Sequence, residues 1–261
     1  MICVILHITN PVFLFETVKF ITEISMKRTF VYLIIVFLPF SLLAQNLDEV
    51  LQKHFKAINQ EKLTSVSSMQ VKGKLSQMGQ QMPFKMTQVR PLKFRLDITF
   101  QGLTLSQAYD GTKGWSVNPF MGEDEAKEIP ASGLKNIKVQ ADMDGALFNW
   151  KDKGYAAELL PNEKVEGIES QVILLKDAEG DEFKIFIDAE TSLILKQTYK
   201  IDTQEGPMTL EIYPSDYRDV EGMKVAFSID TKADGQSVYS MKYDTVELNP
   251  KVDDSYFAMP K

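Results

Sequence analysis

The sequence is nearly without cysteine and histidine, and both scarcities narrow what the chain can do. Its one cysteine is Cys3, and its two histidines are His7 and His54. Beyond residue 44 there is no thiol for a disulfide, a nucleophile or a thiolate metal site. There is also no cysteine at residue 45 to carry a lipid anchor. A lone helical histidine with no nucleophile motif beside it is more often packed than catalytic. No Gly-x-Ser-x-Gly elbow, phosphate-binding glycine loop or His-Glu-x-x-His pattern occurs. No catalytic residue is therefore assigned, and catalysis is not expected. Glycine (14) and proline (11) are ordinary in number, which excludes fibrous and low-complexity classes. Positive charge is in deficit, with 29 basic against 36 acidic residues. Residues 1–44 carry three basic and two acidic residues. Without them the counts are 26 and 34, a net charge of −8. That sign argues against nucleic acid and anionic membrane surfaces as main partners.

Long hydrophobic runs are confined to the front. Met26-Lys27-Arg28 is a short basic start, Phe30 to Phe40 an apolar run containing Pro39, and Ala44 a small residue before Gln45. This is the layout of a secretory signal over 26–44, cleaved near Ala44/Gln45, although Leu42 departs from the small-x-small rule. The run is shorter than the ~20 residues of a membrane span and is broken by proline. Residues 1–25 are apolar as well. They are read either as a start assigned too early, with Met26 the true start, or as an extra N-terminal segment. A signal rarely has another segment ahead of it, which favours the first. The remainder, 45–261, is expected to be a single domain, soluble beyond the inner membrane.

Leu47, Val50, Leu51, Phe55 and Ile58 recur at helical spacing, with Asp48 and Glu49 in the first turn, and predict a helix over 47–59. From Val66 the period becomes two. Strands are expected at 66–75, 82–89, 93–100, 103–109 and 115–118, punctuated by Gly79, Gln101-Gly102 and Asp110-Gly111. Residues 119–130 read as an acidic loop. Residues 131–150 read as helix, with a break near Asp142-Met143-Asp144-Gly145. Seven more strands follow, at 155–160, 169–176, 182–188, 193–200, 208–216, 223–231 and 237–247. The fold class is mainly β (α+β): a curved antiparallel sheet of about ten or eleven strands, an unclosed half-barrel covered by helices.

Asp142-x-Asp144-Gly145 has the form of a calcium-loop fragment but lacks the third acid and the distal glutamate, so no metal site is assigned. Glu123-Asp124-Glu125 reads as a solvated loop. Methionines spread over the strands would suit an adaptable apolar surface, though core filling explains most of them.

Two stretches carry a resemblance. Arg90-Pro91-Leu92-Lys93-Phe94 is followed by Asp110-Gly111-Thr112-Lys113-Gly114-Trp115 and then Asn118-Pro119-Phe120. Near the end stands Val252-Asp253-Asp254-Ser255-Tyr256-Phe257-Ala258-Met259-Pro260. These runs resemble the LolA family of periplasmic lipoprotein carriers, most closely its Bacteroidetes members. The dense match spans 90–120, and its residues mark fold better than function. The resemblance implies an unclosed β-barrel whose apolar concavity takes lipoprotein acyl chains and passes them from an inner-membrane exporter to an outer-membrane acceptor. That is a chaperone-like role in outer-membrane biogenesis, performed as a monomer and without a cofactor. It places a functional arginine at Arg90, holding a lid closed. The position would equally suit a strand-end residue paired with a surface acid. Alternation alone nominates Phe84, Met86, Phe94, Leu96, Ile98, Phe100, Leu105, Trp115, Phe120 and Phe148 as lining residues, without fixing which face is inside. The alternative is a lipid-binding or envelope-sensing module of the same fold with another hydrophobic ligand.

Overall fold

The computed structural model describes residues 46–203 and 206–260. The expected signal, its cleavage position, the Met1 or Met26 start, Cys3 and His7 lie outside the described residues. Residues 47–261 form a compact unit. Among the described residues no helix is long and apolar enough to cross a membrane.

Helix α1 spans Leu47–Ile58. Asp48 and Glu49 in its first turn and Lys56 in its last complement the helix dipole. Val50, Leu51 and His54 are buried along one side. Asn59 takes a left-handed conformation (φ 59°) and caps a second short helix, α2 (Gln60–Ser65), which the sequence pattern did not announce. Helix α3 spans Ala131–Ala141. It stops at the break expected near Asp142–Gly145, but no second helical piece follows: residues 143–154 run on as consecutive turns. Asp142, at the C-cap, is extended, and Gly145 has φ 71°, a conformation only glycine adopts freely.

Thirteen antiparallel strands make one sheet, in the order β6-β5-β4-β3-β2-β1-β13-β12-β11-β10-β9-β8-β7. The first hairpins are β1 (Ser68–Gln77) with β2 (Gln80–Val89), and β3 (Lys93–Phe100) with β4 (Leu103–Tyr109). β5 (Gly114–Asn118) and β6 (Glu123–Glu128) end that side. On the other side lie β7 (Ala156–Val165), β8 (Ile168–Lys176), β9 (Glu182–Asp188) and β10 (Ile194–Thr203). The centre is closed by β11 (Gly206–Val220), β12 (Met223–Ala233) and β13 (Gln236–Leu248), which pairs with β1. The chain thus folds outward from both sides of the β1–β13 seam and leaves β6 and β7 as free edges, an unclosed sheet.

The sheet has more strands than the ten or eleven expected; the one that none of the expected ranges covers is β6, within the stretch read as an acidic loop. Its alternating charges do not look like a strand, yet charge is what protects an exposed edge from pairing with another chain. Lys127 and Lys113 neutralise Glu123 and Glu128 along it.

Register defines two faces. Directly paired residues share a face, so Leu105, Ile98, Phe84, Gly73 and Tyr243 form one row across five strands. Tyr239, Thr231, Ile212, Gln197, Ile185, Ile173 and Leu159 form another. Tyr239 and Tyr243 are an even number apart on β13, so both rows lie on one face, here called inner. Helix α3 covers one end of it, with Ile137 and Ala141 on Phe94 and Tyr109. Helix α1 covers the other, with Val50 and Leu51 on Ile173, Leu175, Ile185 and Ile187. Between them Met143 packs on Val66 and Met223. Gly73 sits at a register shift in the seam, where an added Cβ would fall 2.1 Å from the Lys242 carbonyl oxygen.

The chain end seals the outer face. Tyr256 and Phe257 lie over β3–β5, where Arg95 donates to the Tyr256 carbonyl (2.8 Å) and the Trp115 indole N–H to that of Phe257 (2.8 Å).

Candidate functional site

The helices do not fill the space above the inner face. A cavity of about 1100 Å³ remains between α1, α2, the 142–147 turns, α3 and strands β9–β12. Its apolar walls come from Phe55 and Ile58 of α1, Leu63 of α2, Leu147, and Ile185 and Ile194 of the sheet. These side chains are here because α1 and the inner-face alternation both aim at the same volume. Tyr199 and Tyr217 add phenol groups to the wall. The Tyr217 hydroxyl donates to the Ile194 carbonyl (2.9 Å) and that of Tyr199 to the Gln197 amide oxygen (2.6 Å). Burial pushes the Tyr199 phenol up to about 12 and the Tyr217 phenol higher, so both stay neutral. His54 closes the α1 side. Its Nδ1–H donates to the Ser192 carbonyl (2.8 Å), and burial lowers its pKa, partly offset by that hydrogen bond. It borders the cavity, and among the described residues no carboxylate is hydrogen-bonded to it.

Arg90 stands where β2 meets α2 and the turns. Its fork holds the Asp144 carboxylate by two bonds, 2.5 and 2.7 Å. Its Nε donates to the Val66 carbonyl (2.7 Å), and the second N–H of Nη2 to that of Leu63 (3.0 Å). Gln60 donates a further bond to Asp144 (3.2 Å). Bonding to Asp144, set against burial, holds the guanidinium above its already high value. One cation thus ties the strand end, the exit of α2 and the 142–154 turns together over the cavity. Asp142 is taken in turn by Lys153. Both acids of the calcium-like fragment are therefore committed to cations of this chain.

A second clasp closes another part of the rim. Lys135 on α3 reaches the β8–β9 turn and meets Asp177 (2.5 Å), Glu179 (2.8 Å) and Asp181 (2.5 Å) at once. Desolvation pulls the ammonium down, but the three carboxylates outweigh it and hold the pKa well above the ordinary lysine value. Lys135, Asp177 and Glu179 all border the cavity. The clasp joins elements that pack on opposite halves of the sheet.

Of the residues nominated from sequence, Arg90 borders this cavity. Phe84, Met86, Phe94, Leu96, Ile98, Phe100 and Leu105 do share the inner face, through their register. Phe94 is filled over by α3, while Phe84, Met86, Leu96 and Ile98 pack together beside the seam. Phe100 and Leu105 continue that apolar strip, half-buried, and Phe100 meets Phe120 edge-to-face at 6.2 Å. Phe148 packs edge-to-face on Phe55 of α1 at 5.6 Å. Trp115 is on the outer face, opposite Ala108, with the Arg95 guanidinium 5.3 Å from its ring. The residues the sequence did not single out are those of α1, β9 and β10. Their signal was present in the apolar side of 47–58 and the alternation of 183–187, but nothing local says that these two segments face each other.

No protein-family model matches the chain, and no curated protein matches it in sequence. Solved structures do match in fold. A DUF1329 family protein from Desulfovibrio piger superposes with TM-score 0.55 at 13% identity, over 80% of this chain and 97% of that one. A LolA superfamily protein from Nitrosomonas europaea gives 0.54 at 14% identity, over 79% and 96%. A domain from Vibrio parahaemolyticus assigned to outer membrane lipoprotein sorting gives 0.52 at 11%, over 81% and 97%. The fold is LolA-like.

Proposed function

We propose that this protein is a periplasmic carrier that holds the acyl chains of lipoproteins in the cavity under α1 and α3 and moves them from inner to outer membrane. The observation that carries the reading is the cavity. Its volume, about 1100 Å³, lies just above the usual range of small-molecule sites (~300–1,000 Å³). Phe55, Ile58, Leu63, Leu147, Ile185 and Ile194 give it an apolar wall, and charged residues, the two clasps among them, line its rim. Acyl burial is worth ~0.8 kcal/mol per CH₂, so a single chain supplies ample affinity. Release is then the harder step, and it needs the cover to open. Arg90 is the bet for that control, because breaking its bonds frees the 142–154 turns and α2 together. The fold shared with a lipoprotein-sorting domain supports the same class of cargo.

The test uses inner-membrane vesicles bearing labelled lipoproteins, an active exporter and ATP. The reading expects labelled lipoprotein in the soluble fraction, bound to this protein. Arg90→Leu should still take up cargo but hand it poorly to acceptor membranes. No release by an exporter that serves another carrier would sink the shuttle role. Lipid extracted from the natively purified protein would then identify the ligand of a binding or sensing module.

A further inference from the structure

The turns of the sheet are not alike. Five hairpin turns place a non-glycine residue at φ near 50° just before glycine: Met78, Gln101, Glu166, Glu221 and Asp234. Such turns favour Asn, Asp or Gly first, because a short polar side chain tolerates the left-handed region. Four of the five carry a polar or acidic residue there. Met78 does not, and it is 94% exposed. Neither turn chemistry nor burial explains a methionine at that place.

Its neighbours share the character. By strand order and direction, the β1–β2, β3–β4 and β5–β6 turns stand side by side at one end of the sheet. Beside Met78 they present Leu103 (48% exposed), Phe120 (42%) and Met121 (79%). Residues 75–84, 98–109 and 114–122 contain no charged side chain, in a chain that is 25% charged. Gln77, Gln80 and Gln81 stand close behind the Met78 tip, and Gln101 shares the β3–β4 turn with Leu103 beside it, all polar but uncharged. Six adjacent strands make this rim about 24 Å wide. It is flanked by acids, Asp234 on one side and Glu123-Asp124-Glu125 on the other. The rim is also continuous with the half-buried inner-face strip at Phe100 and Leu105.

We propose that this uncharged rim is a membrane-docking edge, whose Met78, Leu103, Phe120 and Met121 tips enter the interface of a neutral, zwitterionic bilayer. Separate apolar tips on three hairpins suit a fluid surface that closes around each one. The belt of amides suits the headgroup layer behind them. The missing cations and the flanking acids exclude an anionic surface as the preferred partner. Docking by this edge turns the open strip of the inner face toward hydrocarbon. The inference does not depend on acyl chains filling the cavity, and its test reads a different quantity.

The test is position-specific, so that residues 1–44 do not confuse it. In the full chain with Cys3→Ser, single cysteines are placed at Met78→Cys, Met121→Cys and, at the opposite end of the same hairpins, Thr112→Cys. Each is labelled with an environment-sensitive fluorophore and mixed with phosphatidylcholine vesicles. Emission at 78 and 121 is expected to shift to the blue and intensify, with no change at 112. Met78→Asp in the Met121→Cys protein should reduce the shift at 121. Unchanged emission at 78 and 121, or equal shifts at all three positions, overturns the proposal. The first of these would point to a protein as the rim's partner instead.

Discussion

Removing Arg90 should loosen one part of the molecule far more than the whole. In Arg90→Leu the Asp144 carboxylate loses two charge-assisted bonds while it is only partly exposed, 15% for its side chain against 26% for that of Arg90. The Val66 carbonyl loses its side-chain donor, whereas that of Leu63 keeps the Val66 N–H (3.0 Å). Exposed pairs are worth about 0–1 kcal/mol and the loss of one partner from a buried pair about 3–5 kcal/mol. This pair lies between, so a cost of about 2 kcal/mol is expected, in line with hydrogen bonds to charged groups. The elements it fastens, α2 and the 142–154 turns, are otherwise held by packing of Met143, Leu147 and Phe148 and by the Lys153–Asp142 pair rather than by strand ladders, so the cost should appear as local opening. Hydrogen exchange read by mass spectrometry should speed up about thirtyfold over 60–66 and 142–154, the equivalent of that energy, with strands β8 and β9 unchanged. Asp144→Asn should do much the same, and the double variant should show a coupling of about 2 kcal/mol in urea unfolding. Unchanged exchange over 142–154, or a coupling below about 0.5 kcal/mol, would refute the latch.

Three further outcomes are expected. Lys135→Ala removes a clasp whose lysine side chain is 39% exposed, so stability should fall by no more than about 1 kcal/mol, while a fluorescent fatty-acyl probe should dissociate faster. The difference from the native chain should shrink with added salt, and an unchanged dissociation rate would remove Lys135 from the gate. His54 has its pKa lowered by burial, so the unfolded chain binds the proton more readily; stability is fully present above the unfolded value of ~6.5 and is lost as pH falls toward the folded one. His54→Gln should flatten that acid limb in urea titrations at pH 5 to 8, and an unaltered slope would assign it to other groups. Gly73→Ala drives a Cβ into the Lys242 backbone and the Phe84 ring edge, so it should cost at least about 2 kcal/mol or prevent folding, and a neutral effect would show that the seam can shift.

Much of the sheet could be read because its turns are written in dipeptides such as Glu166-Gly167 and Asp234-Gly235, and because alternation is strict along 93–100 and broken only by Phe186 along 182–188. Strand β6 could not, since an edge strand carries charge for protection rather than apolar alternation. The break at Asp142–Gly145 is marked in the sequence, but the apolar spacing of Leu147 and Phe148 suggests a second helical piece where the backbone runs on as turns. At the site, Arg90 stood out through the run that follows it, but its partner Asp144 belongs to a segment 54 residues away. Register puts Phe84, Met86, Phe94, Leu96, Ile98, Phe100 and Leu105 on one face, which alternation within each strand could not fix by itself. Alternation did not carry through the turn at Asp110–Lys113, where Gly114 takes the inner position opposite Tyr109 and Trp115 falls outside. The cavity itself is a product of long-range assembly: α1 packs on strands far along the chain, so no local pattern announces their meeting.

The claim that acyl chains occupy the space under α1 and α3 is tested most directly by photo-crosslinking. A diacylated peptide with a diazirine near the chain terminus is bound, irradiated, and its attachment sites mapped by mass spectrometry. The account predicts saturable labelling of Phe55, Ile58, Leu63, Leu147, Ile185 and Ile194, displaced by excess unlabelled lipopeptide. Labelling confined to the outer face or the strand tips, or none that competes, would contradict it.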